Sequence, residues 1–159
     1  MGGIGKTTLS LKVAKQLERD CHDAQFFIDL RGTRSSVLAA TEAMAHVIRS
    51  FYPTATLPVA ASEIAGFYRS VLSEKRSLLI RDDAADATQI EPLLAVPGCI
   101  VLVTSRRRIV LPGFSNYDVG TLAEDEAREL LLSIAPQING HADSQERRLR
   151  SERRRAVLQ

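Results

Sequence analysis

Met1–Thr8 reads MGGIGKTT. Clustered glycines followed by Gly-Lys-Thr form the second half of the phosphate-binding loop pattern. In that pattern a glycine, four residues and Gly-Lys-Ser/Thr open a helix. The glycines let successive backbone N–H groups curl inward as an anion nest, and the N-terminal partial charge of the following helix points the same way. Lys6 would then reach the outer phosphates of a nucleotide, and the Thr7 hydroxyl would ligate Mg2+. The alternative that needs no ligand is a glycine-rich turn ahead of a helix. The first glycine of the pattern is expected one position before Met1, and the strand that feeds the loop before that.

Downstream of the loop, helices alternate with short apolar strands. Lys6–Asp20 is expected to be a helix with Leu9, Val13 and Leu17 as its apolar stripe. Gln25–Leu30 is rich in strand formers. Ser35 or Ser36 is expected to cap a helix lined by Val37, Thr41, Met44, Val47, Ile48 and Phe51, and Ser62 to cap another lined by Ile64, Phe67, Tyr68, Val71 and Leu72. Ser77–Arg81 reads as a buried strand ending in Asp82 and Asp83, with a short helix over Ala87–Leu94. Cys99–Thr104 reads as the clearest buried strand, Tyr117–Val119 as a short one, and Ala123–Ile134 as a helix with acids at its positive end. This alternation predicts a three-layer α/β fold with parallel strands and helical crossovers, and ligands in such folds bind at the carboxyl ends of the strands.

Composition narrows the class further. The chain has 159 residues, 45% hydrophobic and 25% charged, so one domain with an aliphatic core is expected and general disorder is excluded. Two cysteines, Cys21 and Cys99, cannot make a disulfide scaffold. They and the three histidines lack metal-ligand spacing. No apolar run is long enough to span a bilayer, and the glycine-rich start lacks a signal core, so no membrane partner and a cytoplasmic location are expected. The net charge of +2 conceals an arginine-rich tail, with six arginines between Arg147 and Arg155, attached to a slightly acidic body. That body has no field to steer it onto nucleic acid. Glutamates alternate with the tail arginines and no aromatic is interleaved, so a solvated or frayed helix is the simpler reading of the tail.

Two later stretches carry chemistry that matches the loop. LLIRDD (Leu78–Asp83) ends a buried strand in acids, of which one can hold Mg2+ and the next can orient or deprotonate an attacking water. The competing role for Asp83 or Asp86 is to cap the following helix. VTSRRR (Val103–Arg108) places a polar pair, Thr104 and Ser105, and an arginine at the end of a buried strand, where they suit a terminal phosphate whose oxygens the arginine fork matches. Arg106 takes that sensor role, and Arg107 and Arg108 read as a solvated basic loop. Arg81 is anomalous, because a charge within an apolar strand needs a partner or a route to solvent.

MGGIGKTT, FFIDLRG, LLIRDDAADA, VLVTSRRR and TLAEDEARELL stand in the order found in NB-ARC domains of STAND P-loop nucleotide switches. The chain most resembles the ATPase segment of actinobacterial SARP/AfsR-like transcriptional regulators, over residues 1–136. The resemblance implies an ADP/ATP- and Mg2+-binding switch in signal transduction, working by slow hydrolysis or exchange. By position it assigns nucleotide binding to Gly2, Gly3, Ile4, Gly5, Lys6, Thr7 and Thr8. It assigns the metal to Thr7 and Asp82, and the catalytic roles to Asp83 and Arg106. Residues 137–159 carry no family character.

The resemblance also implies a P-loop-type sheet lacking its first, central strand, and a chain shortened at both ends. Other domains or chains would then supply that strand and the lid over the nucleotide. Such a strand buries three or four aliphatic side chains at about 1.5–3 kcal/mol each, a large share of a domain's roughly 5–15 kcal/mol. The alternative expectation is therefore a non-functional or partner-dependent fragment that binds nucleotide weakly or not at all and is not catalytically competent alone.

Overall fold

The computed structural model describes residues 3–94 and 97–134, in two compact units, Met1–Val119 and Gly120–Gln159. In the first unit a helix α1 (Lys6–Leu17) leads to strand β1 (Ala24–Asp29), helices α2 (Ala40–Phe51) and α3 (Ala61–Leu72), and strand β2 (Ser77–Ala84). A short helix α4 (Ala87–Ile90) runs into a 3-10 turn (Glu91–Leu93), and strand β3 (Ile100–Ser105) follows. The second unit contains helix α5 (Glu124–Ile134), whose first turn holds Glu124, Asp125 and Glu126. The Ala123 N–H donates to the Glu126 carboxylate at 2.9 Å, which closes the cap. The expected tail helix falls outside the described residues.

The three strands form one parallel sheet in the order β1-β2-β3. Parallel strands need crossovers, and α2 with α3 makes the first while α4 and the 3-10 turn lie in the second. This is the α/β arrangement of a P-loop NTPase-type sheet, and no described strand precedes α1. Leu78, Leu79 and Ile80 of β2 are buried on both faces, so the strand is apolar without alternation. Leu79 belongs to the larger core, which Met44, Val47 and Ile48 of α2 and Ile64, Tyr68, Val71 and Leu72 of α3 complete. Leu78 and Ile80 join Ala14 and Cys21 in the smaller core under α1.

Several local expectations are corrected. Helix α2 starts at Ala40 behind Ala39, not behind Ser35 or Ser36, and its first turn is closed by the Ala39 N–H donating to Glu42. Val37 precedes it and is exposed. Helix α3 begins at Ala61, which places Ser62 inside it. On α1 the buried residues are Ser10 and Ala14 rather than the Leu9, Val13 and Leu17 stripe. Small side chains let the helix approach the sheet, and Leu9 is left partly exposed. Strand β3 is only half buried along Ile100–Val103, because among the described strands β2 alone pairs with it. Tyr117–Val119 is not a strand, and Tyr117 lies open to solvent.

The loop after β1 is braced against the end of β2. One Gln89 side chain does most of this: its amide donates to the carbonyls of Leu30 and Leu38 and accepts from the Ala85 N–H. Gly32 lies so close to β2 that a Cβ there would overlap the backbone of Asp83, Ala84 and Ala85. Its N–H donates to the Asp83 carbonyl at 2.6 Å.

Arg81 has found a partner but no route to solvent. It is fully buried, and its Nη2 donates to the Tyr68 hydroxyl at 3.0 Å. Its Nε and Nη1 have no hydrogen-bond partner, and among the described residues no carboxylate pairs with it. Burial pushes the Tyr68 phenol up, against the opposing pull of the guanidinium. The phenol therefore stays protonated at neutral pH, accepts from Arg81 and donates to the Leu93 carbonyl at 3.2 Å.

These contacts predict the stability of three variants. Exchanging a buried charge for an apolar chain of similar length is neutral or stabilising by about 1–4 kcal/mol. Urea unfolding of Arg81→Met should thus give a midpoint at or above wild type, whereas Tyr68→Phe, which orphans the guanidinium, should lose about 1–3 kcal/mol. A Tyr68→Phe midpoint equal to wild type would contradict this account of the pair. Gly32→Ala should cost about 1–3 kcal/mol by overpacking against immovable backbone. An unchanged urea midpoint for that variant would show that the loop and β2 are not held so closely.

Candidate functional site

Parallel strands present their carboxyl ends on one side of the sheet, and a cavity of about 460 Å³ opens there. Four segments far apart in sequence line it. Gly3–Thr8 form the loop and the first turn of α1, and Asp29, Thr33 and Arg34 come from the end of β1 and its loop. Asp82 and Asp83 come from the end of β2, and Thr104 and Arg106 from the end of β3. Every described residue assigned from the sequence thus borders one hollow, and Gly2 lies outside the described residues.

The loop turns into α1 through backbone that only glycine adopts at low cost. Gly5 has φ +84° and its carbonyl accepts the Leu9 N–H at 2.8 Å, the first bond of the helix. Lys6 and Thr7 therefore occupy the helix's first turn. The Thr7 hydroxyl donates to the Asp82 carboxylate, with Oδ1 at 2.8 Å and Oδ2 at 3.0 Å. This contact joins residues 75 positions apart.

Asp82 and Asp83 are consecutive, so a regular strand would send their side chains to opposite faces. A β-bulge prevents this. Arg81 pairs with Val103 and Ala84 with Ser105, so two residues of β2 oppose Thr104 alone. Asp83 takes φ +54°, the left-handed region that Asp tolerates better than most residues. The Thr104 hydroxyl stitches the bulge: it accepts the Asp83 N–H at 3.0 Å and donates to Asp82 Oδ1 at 2.7 Å.

The other acids are engaged in distinct ways. Asp83 Oδ2 accepts both the N–H and the hydroxyl of Thr33, at 3.0 and 2.6 Å, and its Oδ1 lies 3.9 Å from Arg106 Nε. Arg106 is half exposed, so that pair is loose. Asp29 accepts from the Arg31 N–H at 2.9 Å and from Arg34 Nη2 at 2.8 Å. The helix-capping role belongs to Asp86, which accepts the Gln89 N–H at 3.0 Å, and Asp83 is therefore not the cap.

The site contains three contributors to which the sequence alone assigns no role: Asp29, Thr33 and Arg34. Arg34 could have been paired with Asp29, an acid ending β1 as Asp82 ends the regular part of β2. For Thr33 there was no local signal, since its partner lies 50 positions away. Chemically the cavity offers backbone N–H groups at a helix start, the cations Lys6 and Arg106, and hard oxygen donors from Thr7 and Asp82. Such a set suits a phosphate-bearing ligand with a hard divalent cation. Among the described residues no cluster of three His, Cys, Asp or Glu side chains could hold a metal unaided, and no helix is long and apolar enough to cross a membrane.

Comparison with known proteins identifies the family. The chain is 38% identical over 137 residues to the regulatory protein AfsR of Streptomyces griseus, covering 84% of this chain and 14% of that protein. It is 34% identical over 160 residues to the regulatory protein AfsR of Streptomyces coelicolor, covering 99% of this chain and 15% of that one. A probable disease resistance protein of Arabidopsis thaliana is 33% identical over 85% of this chain, which is 16% of its own length. The chain thus spans about one-seventh of the AfsR proteins it matches. No solved structure matches it. The family model of the NB-ARC domain matches residues 1–139, and the chain belongs to the NB-ARC domain family.

Proposed function

We propose that this chain is an ADP/ATP-binding nucleotide-switch module of a regulatory protein. The observation that carries the reading is the Thr7–Asp82 contact within a cavity that the glycine loop, Lys6 and Arg106 also line. In this reading the N–H groups of Gly3–Thr8 and the Lys6 ammonium hold the phosphates. The Thr7 hydroxyl and Asp82 carboxylate hold Mg2+, which when bound neutralises phosphate charge. Arg106 meets the terminal phosphate, and Asp83 orients the water that attacks it. Membership of the family and similarity to part of the much longer AfsR proteins support a regulatory context.

A second reading is favoured by one observation. Ile100 and Leu102 of β3 pack on the smaller core and Val101 and Val103 on the larger, so β3 is apolar on both faces although it is an edge among the described strands. Such a strand suits an interior position, where another segment or chain pairs with its outer side. Full affinity then depends on that added strand.

Titration of the 159-residue chain with a fluorescent ADP analogue and Mg2+ tests both readings. Lys6→Ala removes a charge-assisted contact of about 1.5–3 kcal/mol, so affinity should fall about 10- to 100-fold. Asp82→Asn should lose most of the dependence on Mg2+. If the wild-type chain shows no saturation up to about millimolar analogue, the first reading fails and the partner-dependent one stands.

A further inference from the structure

We propose that Thr33 is a positioning residue for Asp83, fixing which carboxylate oxygen can act in the cavity. The inference rests on the nucleotide reading above, and its observations lie in the loop after β1. Thr33 gives two donors to one oxygen, Asp83 Oδ2, its backbone N–H at 3.0 Å and its hydroxyl at 2.6 Å. Two donors leave that oxygen little capacity for a third. The other oxygen, Oδ1, is left facing Arg106, and both residues border the cavity.

The same loop restrains the Asp83 backbone. Its N–H is taken by Thr104 Oγ1 and its carbonyl by the Gly32 N–H. With φ +54° the residue is held at both peptide groups and at one carboxylate oxygen. Free rotation of the carboxyl group is thereby removed. Gln89 fixes the loop ends at Leu30 and Leu38, so Thr33 is itself held in place.

The step this serves is hydrolysis of the terminal phosphoryl group of ATP. The oxygen of a water molecule forms a bond to the terminal phosphorus. The bond from that phosphorus to the bridging oxygen breaks, and its electron pair stays on ADP. Asp83 Oδ1 takes the proton the water loses and passes it to the released phosphate. Thr33 touches neither water nor phosphate; its contribution is to present Oδ1 and withhold Oδ2, a matter of orientation that catalysis is sensitive to at the ångström scale.

The test is single-turnover ATP hydrolysis by the full chain in excess, together with affinity for a fluorescent ATP analogue. Thr33→Val keeps the shape and the backbone N–H but loses the hydroxyl, and Thr33→Ser restores it. The rate with Thr33→Val should fall about tenfold or more with affinity unchanged, and Thr33→Ser should recover to within about threefold of wild type. In an Asp83→Asn background, Thr33→Val should cost nothing further. The proposal is overturned if Thr33→Val hydrolyses at the wild-type rate, if it loses affinity in step with rate, or if its loss persists beside Asp83→Asn. It is overturned too if wild type is no faster than Asp83→Asn. A wild-type chain that binds no ATP analogue removes the nucleotide reading and this proposal together, whereas normal binding with an unaffected Thr33→Val removes the proposal alone.

Discussion

The Thr104 hydroxyl is the constraint on which the site depends. A hydroxyl can accept and donate at once. Thr104 uses both capacities across the strand gap, taking the Asp83 N–H and giving its proton to Asp82. The bulge opposite it is what brings two neighbouring acids to one cavity. Thr104 is buried, so water competes little for either bond. Without the bulge, the pleat would carry Asp83 to the face where α2 and α3 pack. There it would lose both Thr33 bonds and its place beside Asp82 at the cavity.

The bulge also sets the fate of Arg81. The strand is regular up to that residue, which pairs with Ile28 on one side and Val103 on the other. The pleat therefore sends Arg81 to the face of Leu79, into the larger core, and Asp82 to the face of Ile80, towards α1. Were the irregularity one residue earlier, the guanidinium would share the cavity with the acids. Arg81 instead lies beside Tyr68 with two N–H groups unsatisfied. This is a local conflict between one residue and the register that serves the site, and the register prevails because Leu78, Leu79 and Ile80 are buried on both faces of β2.

Much of the fold was legible because its signals are local. Lys6–Leu17, Ala24–Asp29, Ser77–Ala84 and Ile100–Ser105 carry periodicity or aliphatic runs that a short window contains. Met44, Val47 and Ile48 on α2, and Ile64, Tyr68, Val71 and Leu72 on α3, repeat at helical spacing and are buried as that spacing implies. Helix starts were less legible. The serines at 35, 36 and 62 are good caps in isolation, but Gln89 holds residues 30–38 as a closed loop, so α2 cannot begin before Ala40. Burial of β3 was overestimated because composition records what a strand can bury, not which neighbours it has.

The site was legible by residue type but not by geometry. Glycines, Lys6, Thr7, two acids and an arginine suggest their chemistry singly, because phosphate and divalent cations demand those groups. How consecutive acids come to share a hollow is decided by pairing across β2 and β3, which no single segment encodes. The same holds for Gly32, which in sequence looks like an ordinary turn glycine after Asp29. Its necessity comes from the backbone of residues 83–85, which leaves no space for a side chain. A loop that must lie flush against a bulge can be recognised only once the bulge is in view. The parts of this chain that resist reading are therefore those where two distant segments constrain each other, and the site is built almost entirely from such places.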